Sequence, residues 1–476
     1  MKREPFFAVS YHSHSSATFW TIMALPTPPP SSLKAAVDDD LCQLADLNAS
    51  SLLDLLERRY EKGSIFTWAG PVLLSLNPFC NIEGLFEKPQ EWREAWAKVP
   101  DDELPPHVFA LAERAWRRLL REGTSKQAFV VNGESGAGKT EACRQLMRYI
   151  AEASLSRRGR AASADESSAG SLEQSMLTSS RVLESFGNAK TIRNKNSSRF
   201  GKLTWLLFSE ARALAGTSIE ISLLEKSRLV FQGKGERNFH VFYQLCAAAN
   251  AEADGEAVLA KAKDWAILYK GGCDTIEGVD DLADHATLQS ALQTAGFSEE
   301  ELGELWGLLA GLLHAGQMVF TGEGAQVKSA VVDPKPLENA ALNFGCSPDD
   351  LKTAILERTV AAGNASISTV YLSGSDAADA RDGLLKYIYQ STFAWLVDAI
   401  NKGVASGASS DAAGWAGSRL GLLDIYGFEN LESNSLEQAR ALSPCPPLAM
   451  PFAALRCPSL PFAALRCPSL PFATLR

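Results

Sequence analysis

The stretch Val130–Gln145, VVNGESGAGKTEACRQ, decides the fold. Through Gly133, Gly138, Lys139 and Thr140 it fits the pattern G-x-x-x-x-G-K-[ST]. A phosphate-binding loop of this kind leaves an apolar strand and opens a helix. Both contexts are present: QAFVVN (127–132) is a short apolar run, and Cys143, Leu146, Met147 and Ile150 share one face at helical spacing. Glycines would let backbone N–H groups along Gly133, Glu134, Ser135, Gly136, Ala137 and Gly138 curl around phosphate oxygens, with the helix N-terminus adding partial positive charge. In such a loop Lys139 reaches the β and γ phosphates and Thr140 ligates Mg²⁺.

Around this motif the chain has 476 residues, beyond the roughly 250–300 at which single cores split, so two or three lobes are expected. Hydrophobic residues at 46% and charged residues at 21% are those of an ordinary globular protein and argue against disorder. The balance of 46 basic against 56 acidic residues implies no overall attraction to nucleic acid or to an anionic membrane. The nine cysteines form no Cys-x-x-Cys pair, which favours reduced thiols in a cytosolic protein over a disulfide or zinc framework. The six histidines are scattered and offer no metal constellation, and no run approaches the roughly 20 apolar residues of a membrane span.

Residues 1–37, ending in the Pro-rich Pro26–Pro30, read as a flexible N-terminal extension. Order is expected from Asp38, with leucines 41, 44, 47, 52, 55 and 56 at helical spacings. IFTWAGPVLLSLNP (65–78) reads as buried strand bent at Gly70–Pro71, and 106–121 as helix. GKLTWLLFSEA (201–211) and TSIEISLLE (217–225) read as consecutive strands. Residues 248–350 read as largely helical, with Leu302, Leu305, Leu308, Leu309, Leu312 and Leu313 on a buried face. After a Gly/Ser/Ala linker over 403–417 comes a last strand, LGLLDIYGFE (420–429). Residues 439–476 change character: PFAALRCPSL occurs twice, and its prolines block helix and central strand, so a disordered low-complexity tail, read as translated repetitive sequence, is expected.

Two further stretches carry chemistry. GNAKTIRNKNSSRFGK (187–202) sets Asn194 and the paired Ser197 and Ser198 beside Arg199, before a strand. Its composition is also that of a polar turn, but hydroxyls here could complete a Mg²⁺ shell and position water. In LLDIYGFE (422–429), Asp424 ends an apolar strand, with Gly427 and Glu429 beyond. An acid at the carboxyl end of a buried strand is where phosphate-loop enzymes hold the waters around Mg²⁺, and the Asp-x-x-Gly step offers a backbone N–H to a γ-phosphate.

Together the three stretches resemble the phosphate loop, switch I and switch II of myosin motor domains, in the family's order. LLEKSRLVFQGKGERNFHVFYQL (223–245) and ARDGLLKYIYQSTFAWLVDAINK (380–402) resemble equally specific family segments. Kinesins share a phosphate loop and an Asn-x-x-Ser-Ser-Arg element, but SSRFGK and DIYGFE point to myosin. The resemblance implies an α/β fold: a P-loop NTPase core with a mostly parallel central sheet and a large helical upper subdomain, over 38–438. It also implies an ATP-binding, Mg-dependent, actin-based motor ATPase in the cytoplasm, associated with the cytoskeleton. Carried over by residue, Lys139, Thr140, Ser198 and Asp424 would handle the phosphates and Mg²⁺, and Asn194 would touch phosphate. Ser197 would help relay a proton from the attacking water and Gly427 would contact the γ-phosphate, while Arg199 and Glu429 would pair across the closed switches. Asn77 and Pro78 resemble the start of the family's adenine-site motif, with Phe86 where its tyrosine is expected.

The resemblance ends near Gln438, so relay helix, lower actin-binding subdomain, converter and lever are expected to be missing. A non-motile ATP-binding fragment or pseudo-enzyme is the alternative. The family's sheet takes an interior strand from the part beyond that point. The incomplete sheet is therefore expected to leave PVLLSLNP and QAFVVN facing a gap, with unpaired backbone groups.

Overall fold

The computed structural model describes residues 7–10, 39–121, 126–133, 136–155, 178–209, 213–251, 259–322, 329–362, 366–404 and 417–424. The chain divides into two compact units, the first built from 1–179, 197–224 and 397–442 and the second from 180–196, 225–396 and 443–476. The tail expected from 439 onward, and most of the expected extension and linker, lie outside the described residues.

The first unit is organised by a seven-stranded sheet. Its strands are β1 (Phe7–Ser10), β2 (Phe66–Ala69), β3 (Val72–Ser75), β4 (Lys126–Val131), β5 (Gly201–Phe208), β6 (Leu214–Ser222) and β7 (Ser418–Asp424). Their order across the sheet is β2-β3-β1-β4-β7-β5-β6. The expected bent strand is a hairpin: Gly70, with φ +60, and Pro71 turn the chain so that Phe66 pairs with Ser75 and Ala69 with Val72.

Two expectations are corrected. The sheet is not mostly parallel. Among the described strands, β1 runs parallel to β3 and β4, and β7 to β4, whereas β2–β3, β5–β6 and β5–β7 are antiparallel. Connection length accounts for two of the three, because parallel neighbours need a crossover of a dozen or more residues and neither 70–71 nor 209–213 is long enough. The gap between β3 and β4 is also filled. Phe7–Ser10, inside the stretch read as a flexible lead-in, pairs in parallel with both: Val9 lies opposite Leu73 and Val131, and Phe7 opposite Phe129. Two exposed strand edges satisfy their backbone groups with whatever β-prone segment can reach them, and Phe-Ala-Val is one.

On the sheet pack α1 (Ala49–Glu61), α2 (Pro89–Trp96), α3 (Val108–Arg121) and α4 (Lys139–Leu155). The apolar faces of α2, α3 and α4 meet β2, β3, β4, β5 and β7 in one core that includes Trp96, Phe109, Trp116, Leu146, Ile150 and Leu422, against which Tyr60 of α1 packs. Of the leucines expected to open the ordered region, Leu41 and Leu55 are buried, whereas Leu47 stays exposed. Glu113 of α3, which enters this core, is paired: it accepts from Tyr149 at 2.9 Å and from Arg117 at 2.7 Å.

His107 sits in the same core, its ring stacked on Trp92 at 4.7 Å. Nε2 lies 3.1 Å from the Leu85 carbonyl and Nδ1 accepts from the Phe109 N–H at 3.0 Å, which fixes a neutral tautomer. Burial pushes its pKa down to about 3, only partly opposed by the Leu85 bond. The unfolded chain therefore takes up this proton near pH 6.5 and the folded chain does not, so stability is full above about pH 6.5 and falls towards pH 3, by up to about 1.4 kcal/mol per pH unit. The urea midpoint is expected to fall more steeply between pH 6 and pH 4 in the wild type than in His107→Gln; equal slopes would contradict this assignment.

The second unit is mainly helical, with α5 (His240–Ala251), α6 (Asp281–Thr294), α7 (Glu299–Gly316), α8 (Pro334–Phe344) and α9 (Pro348–Leu356). The long α10 (Gly374–Val404) continues beyond it into the first unit. Leu302, Leu305, Leu309, Leu312 and Leu313 form the buried face of α7 as the periodicity requires, and Leu308 is half-buried. A buried ion cluster fixes the segment before α5: Arg228 pairs with Glu225 at 2.8 Å and with Glu236 at 3.0 Å, and Arg237 with Asp281 at 2.8 Å. Among the described residues no helix is long and apolar enough to cross a membrane.

Candidate functional site

Strand β4 delivers the chain to the glycine loop and α4 begins at Lys139. Gly136 and Gly138 have φ of +82° and +91°, a region that side-chain-bearing residues avoid, so these two positions need glycine for the backbone to curl. Lys139 folds back over the loop and donates from Nζ to the Gly133 carbonyl at 2.9 Å. Glu134 and Ser135 lie outside the described residues.

The second wall is β7. Its register with β4 sets Asp424 opposite Val131, so both strands end at one level beside the loop. Asp424 is buried, and the Thr140 hydroxyl donates to its Oδ2 at 3.2 Å. A sequence separation of 284 residues thus closes into one hydrogen bond between a helix-opening hydroxyl and a strand-ending carboxylate. Close packing of β7 on β5 depends on Gly421, where an added Cβ would come within 2.8 Å of the Trp205 ring. One turn into α4, Cys143 is buried. Burial chiefly, and then the Asp424 charge, push its thiol pKa well above the ordinary value against Lys202 and Lys139, so it stays protonated and packs as an apolar group.

Of the second expected stretch, Ser197, Ser198 and Arg199 belong to the first unit. Ser197 and Arg199 are almost fully buried, and the guanidinium donates to the Ser197 hydroxyl oxygen at 3.0 Å. Ser198 donates to the Phe200 carbonyl at 3.1 Å, which leaves its oxygen lone pairs as acceptors or ligands. Asn194 belongs to the second unit, where its amide is engaged within its own loop, accepting from the Asn196 N–H at 3.0 Å and donating to the Asn196 carbonyl at 3.2 Å. Gly427 and Glu429 lie outside the described residues, and with them the expected Arg199–Glu429 pair.

Asn77 and Pro78 follow β3 at the loop's flank. Asn77 donates from Nδ2 to the Gly136 carbonyl at 2.9 Å, a contact across 59 residues that the sequence pattern did not suggest. The resemblance of Asn77–Pro78 to an adenine-site motif marked the residue but not this contact. Phe86 is half-buried among Phe66, His107 and Phe109, with ring centroids 6.1–6.3 Å away, so a phenylalanine there completes core packing.

A curled glycine loop between an apolar strand and a lysine-headed helix, with an acid-tipped parallel strand alongside, places the chain in the broad class of α/β proteins carrying the G-x-x-x-x-G-K-[ST] loop. Comparison with known proteins narrows the class. The family model for the myosin head (motor domain) matches residues 38–441, and the chain belongs to that family. Myosin-2B of Naumovozyma castellii is 37% identical over 402 residues, covering 84% of this chain and 28% of that protein. Myosin-4 of Saccharomyces cerevisiae is 38% identical over 404 residues, covering 84% and 26%. Myosin IC heavy chain of Dictyostelium discoideum is 38% identical over 404 residues, covering 84% and 33%. The chain thus spans about a quarter to a third of the length of these curated relatives.

Proposed function

We propose that this chain is the nucleotide-binding portion of a myosin-type motor ATPase, with a P-loop NTPase core that takes ATP together with Mg²⁺. The observation that carries the reading is the Thr140–Asp424 hydrogen bond at the mouth of the glycine loop. It joins the hydroxyl suited to ligate a divalent cation to the carboxylate suited to hold that cation's waters.

The residues present fit the group. Two left-handed glycines open the loop, Lys139 already stretches along it to a carbonyl oxygen, and a phosphate oxygen is a stronger acceptor for an ammonium than that carbonyl. Gly133, Gly136, Ala137, Gly138 and Lys139 would hold the phosphates, with Glu134 and Ser135 completing the loop. Thr140 and Ser198 would ligate Mg²⁺, with Asp424 behind them. The bound ion would supply charge neutralisation between the β and γ phosphates. The Ser197 hydroxyl, fixed by Arg199, would hold a proton path from the attacking water, with Asn194, Gly427 and Glu429 completing the switches. Actin filaments are the proposed partner and the cytoplasmic cytoskeleton the proposed location.

The test is steady-state phosphate release by the purified chain with MgATP, with and without actin filaments. Release that needs Mg²⁺ and rises with actin supports the motor ATPase. Saturable ATP binding with no release in either condition would overturn the enzymatic part and leave a non-motile nucleotide-binding protein.

A further inference from the structure

From the contacts of Asn77, we infer that this residue positions the phosphate loop, setting the direction of a loop N–H, and that its contribution to nucleotide binding does not pass through the base. The inference rests on the nucleotide-site reading above.

The side-chain amide of Asn77 is held at both ends. Oδ1 accepts from the Phe79 N–H at 2.9 Å, and Nδ2 donates to the Gly136 carbonyl at 2.9 Å. Only this orientation works: turning the amide over would set its NH₂ against an N–H and its oxygen against a carbonyl. Phe79 takes φ +51, a left-handed conformation that is costly for a bulky residue, and its ring is 71% exposed. With the ring mostly exposed, packing supports the turn little, so the Asn77 bond from the Phe79 N–H helps to hold it, and the turn in turn keeps Asn77 aimed at Gly136.

The consequence lies across the next peptide. The Gly136–Ala137 unit is planar and trans, so its C=O and N–H point in opposite directions. By drawing the Gly136 carbonyl towards itself, Asn77 turns the Ala137 N–H away from the β3 side. Gly136, at φ +82 and without a Cβ, constrains the orientation of this peptide less than any other residue would. A phosphate loop binds anions through N–H groups that converge, and one flipped peptide replaces a donor with a carbonyl oxygen facing the anion. Asn77 holds this peptide in the donating state before ligand arrives.

The test separates this role from a base contact by using a ligand without a base. Magnesium pyrophosphate and magnesium ADP are titrated into wild type, Asn77→Ala and Asn77→Asp, with urea midpoints measured alongside. Asn77→Ala is expected to weaken both ligands by the same factor, about tenfold for one lost hydrogen bond. Asn77→Asp keeps the bond from Phe79 but sets a carboxylate against the Gly136 carbonyl and near the anion, and is expected to weaken both further. Loss confined to ADP, with pyrophosphate unchanged, would assign Asn77 to the base and overturn the inference, as would unchanged affinity for both. A folded wild type that binds neither ligand would instead remove the nucleotide-site reading, and the inference with it.

Discussion

Replacing Val9 with proline is expected to destabilise the protein by about 1–3 kcal/mol, the cost of removing a ladder N–H and leaving its partner unsatisfied in a strand paired on both sides. Val9 lies opposite Leu73 of β3 and Val131 of β4 at once, so the substitution disturbs the middle of the sheet and not an edge. Deleting the first ten residues should act in the same direction and more severely. Each buried backbone group left without a partner costs about 1–3 kcal/mol, and the two strands so exposed are templates for pairing between molecules. A lowered urea midpoint for Val9→Pro, with concentration-dependent aggregation of the deletion, is the expected result. Unchanged midpoints in both would mean that β1 contributes nothing to the sheet.

The second large effect is at the loop. Lys139→Ala is expected to weaken magnesium-nucleotide binding by about 100-fold or more, as the loss of two charge-assisted bonds to phosphate would do. The same substitution should leave the fold almost untouched, because Lys139 is only part-buried and its bond to the Gly133 carbonyl lies within the loop itself. A binding titration together with a urea melt checks both halves. Weak binding with a normal melt places Lys139 on the phosphates, whereas weak binding with a collapsed melt would make it structural.

The loop is where the sequence was most legible. The glycines, Lys139 and the apolar run before them are local signals, and local geometry is what they specify. Asp424 was legible for a similar reason, since an acid closing an apolar strand is unusual enough to mark a site before its partner is known. Thr140 then had only to be near it. The hairpin at Gly70–Pro71 was half-legible: the turn residues stood out, but reading one bent strand in place of two hid the antiparallel pairing that a two-residue connection imposes.

What stayed hidden depends on which distant segments meet. Phe7–Ser10 is a four-residue strand within a stretch otherwise rich in serine, histidine and proline, and nothing in its own pattern says that it lies between β3 and β4. The Asn77–Gly136 bond is a side chain meeting a carbonyl, and a carbonyl carries no residue-specific signature. The ion cluster of Arg228 with Glu225 and Glu236 was likewise not read from the sequence, and the structure buries all three. Charges within an apolar segment are a signal that burial and pairing coincide.

The glycine loop, Lys139, Thr140 and Asp424 are proposed to form one site for the phosphates of a magnesium nucleotide. The most direct test of that site is calorimetric titration of ATP into the purified chain with and without Mg²⁺, repeated with Lys139→Ala. Saturable binding at one site, tighter with Mg²⁺ and lost in Lys139→Ala, is the predicted result. A folded wild-type chain that takes up no ATP, or binds it equally well without Lys139, would contradict it.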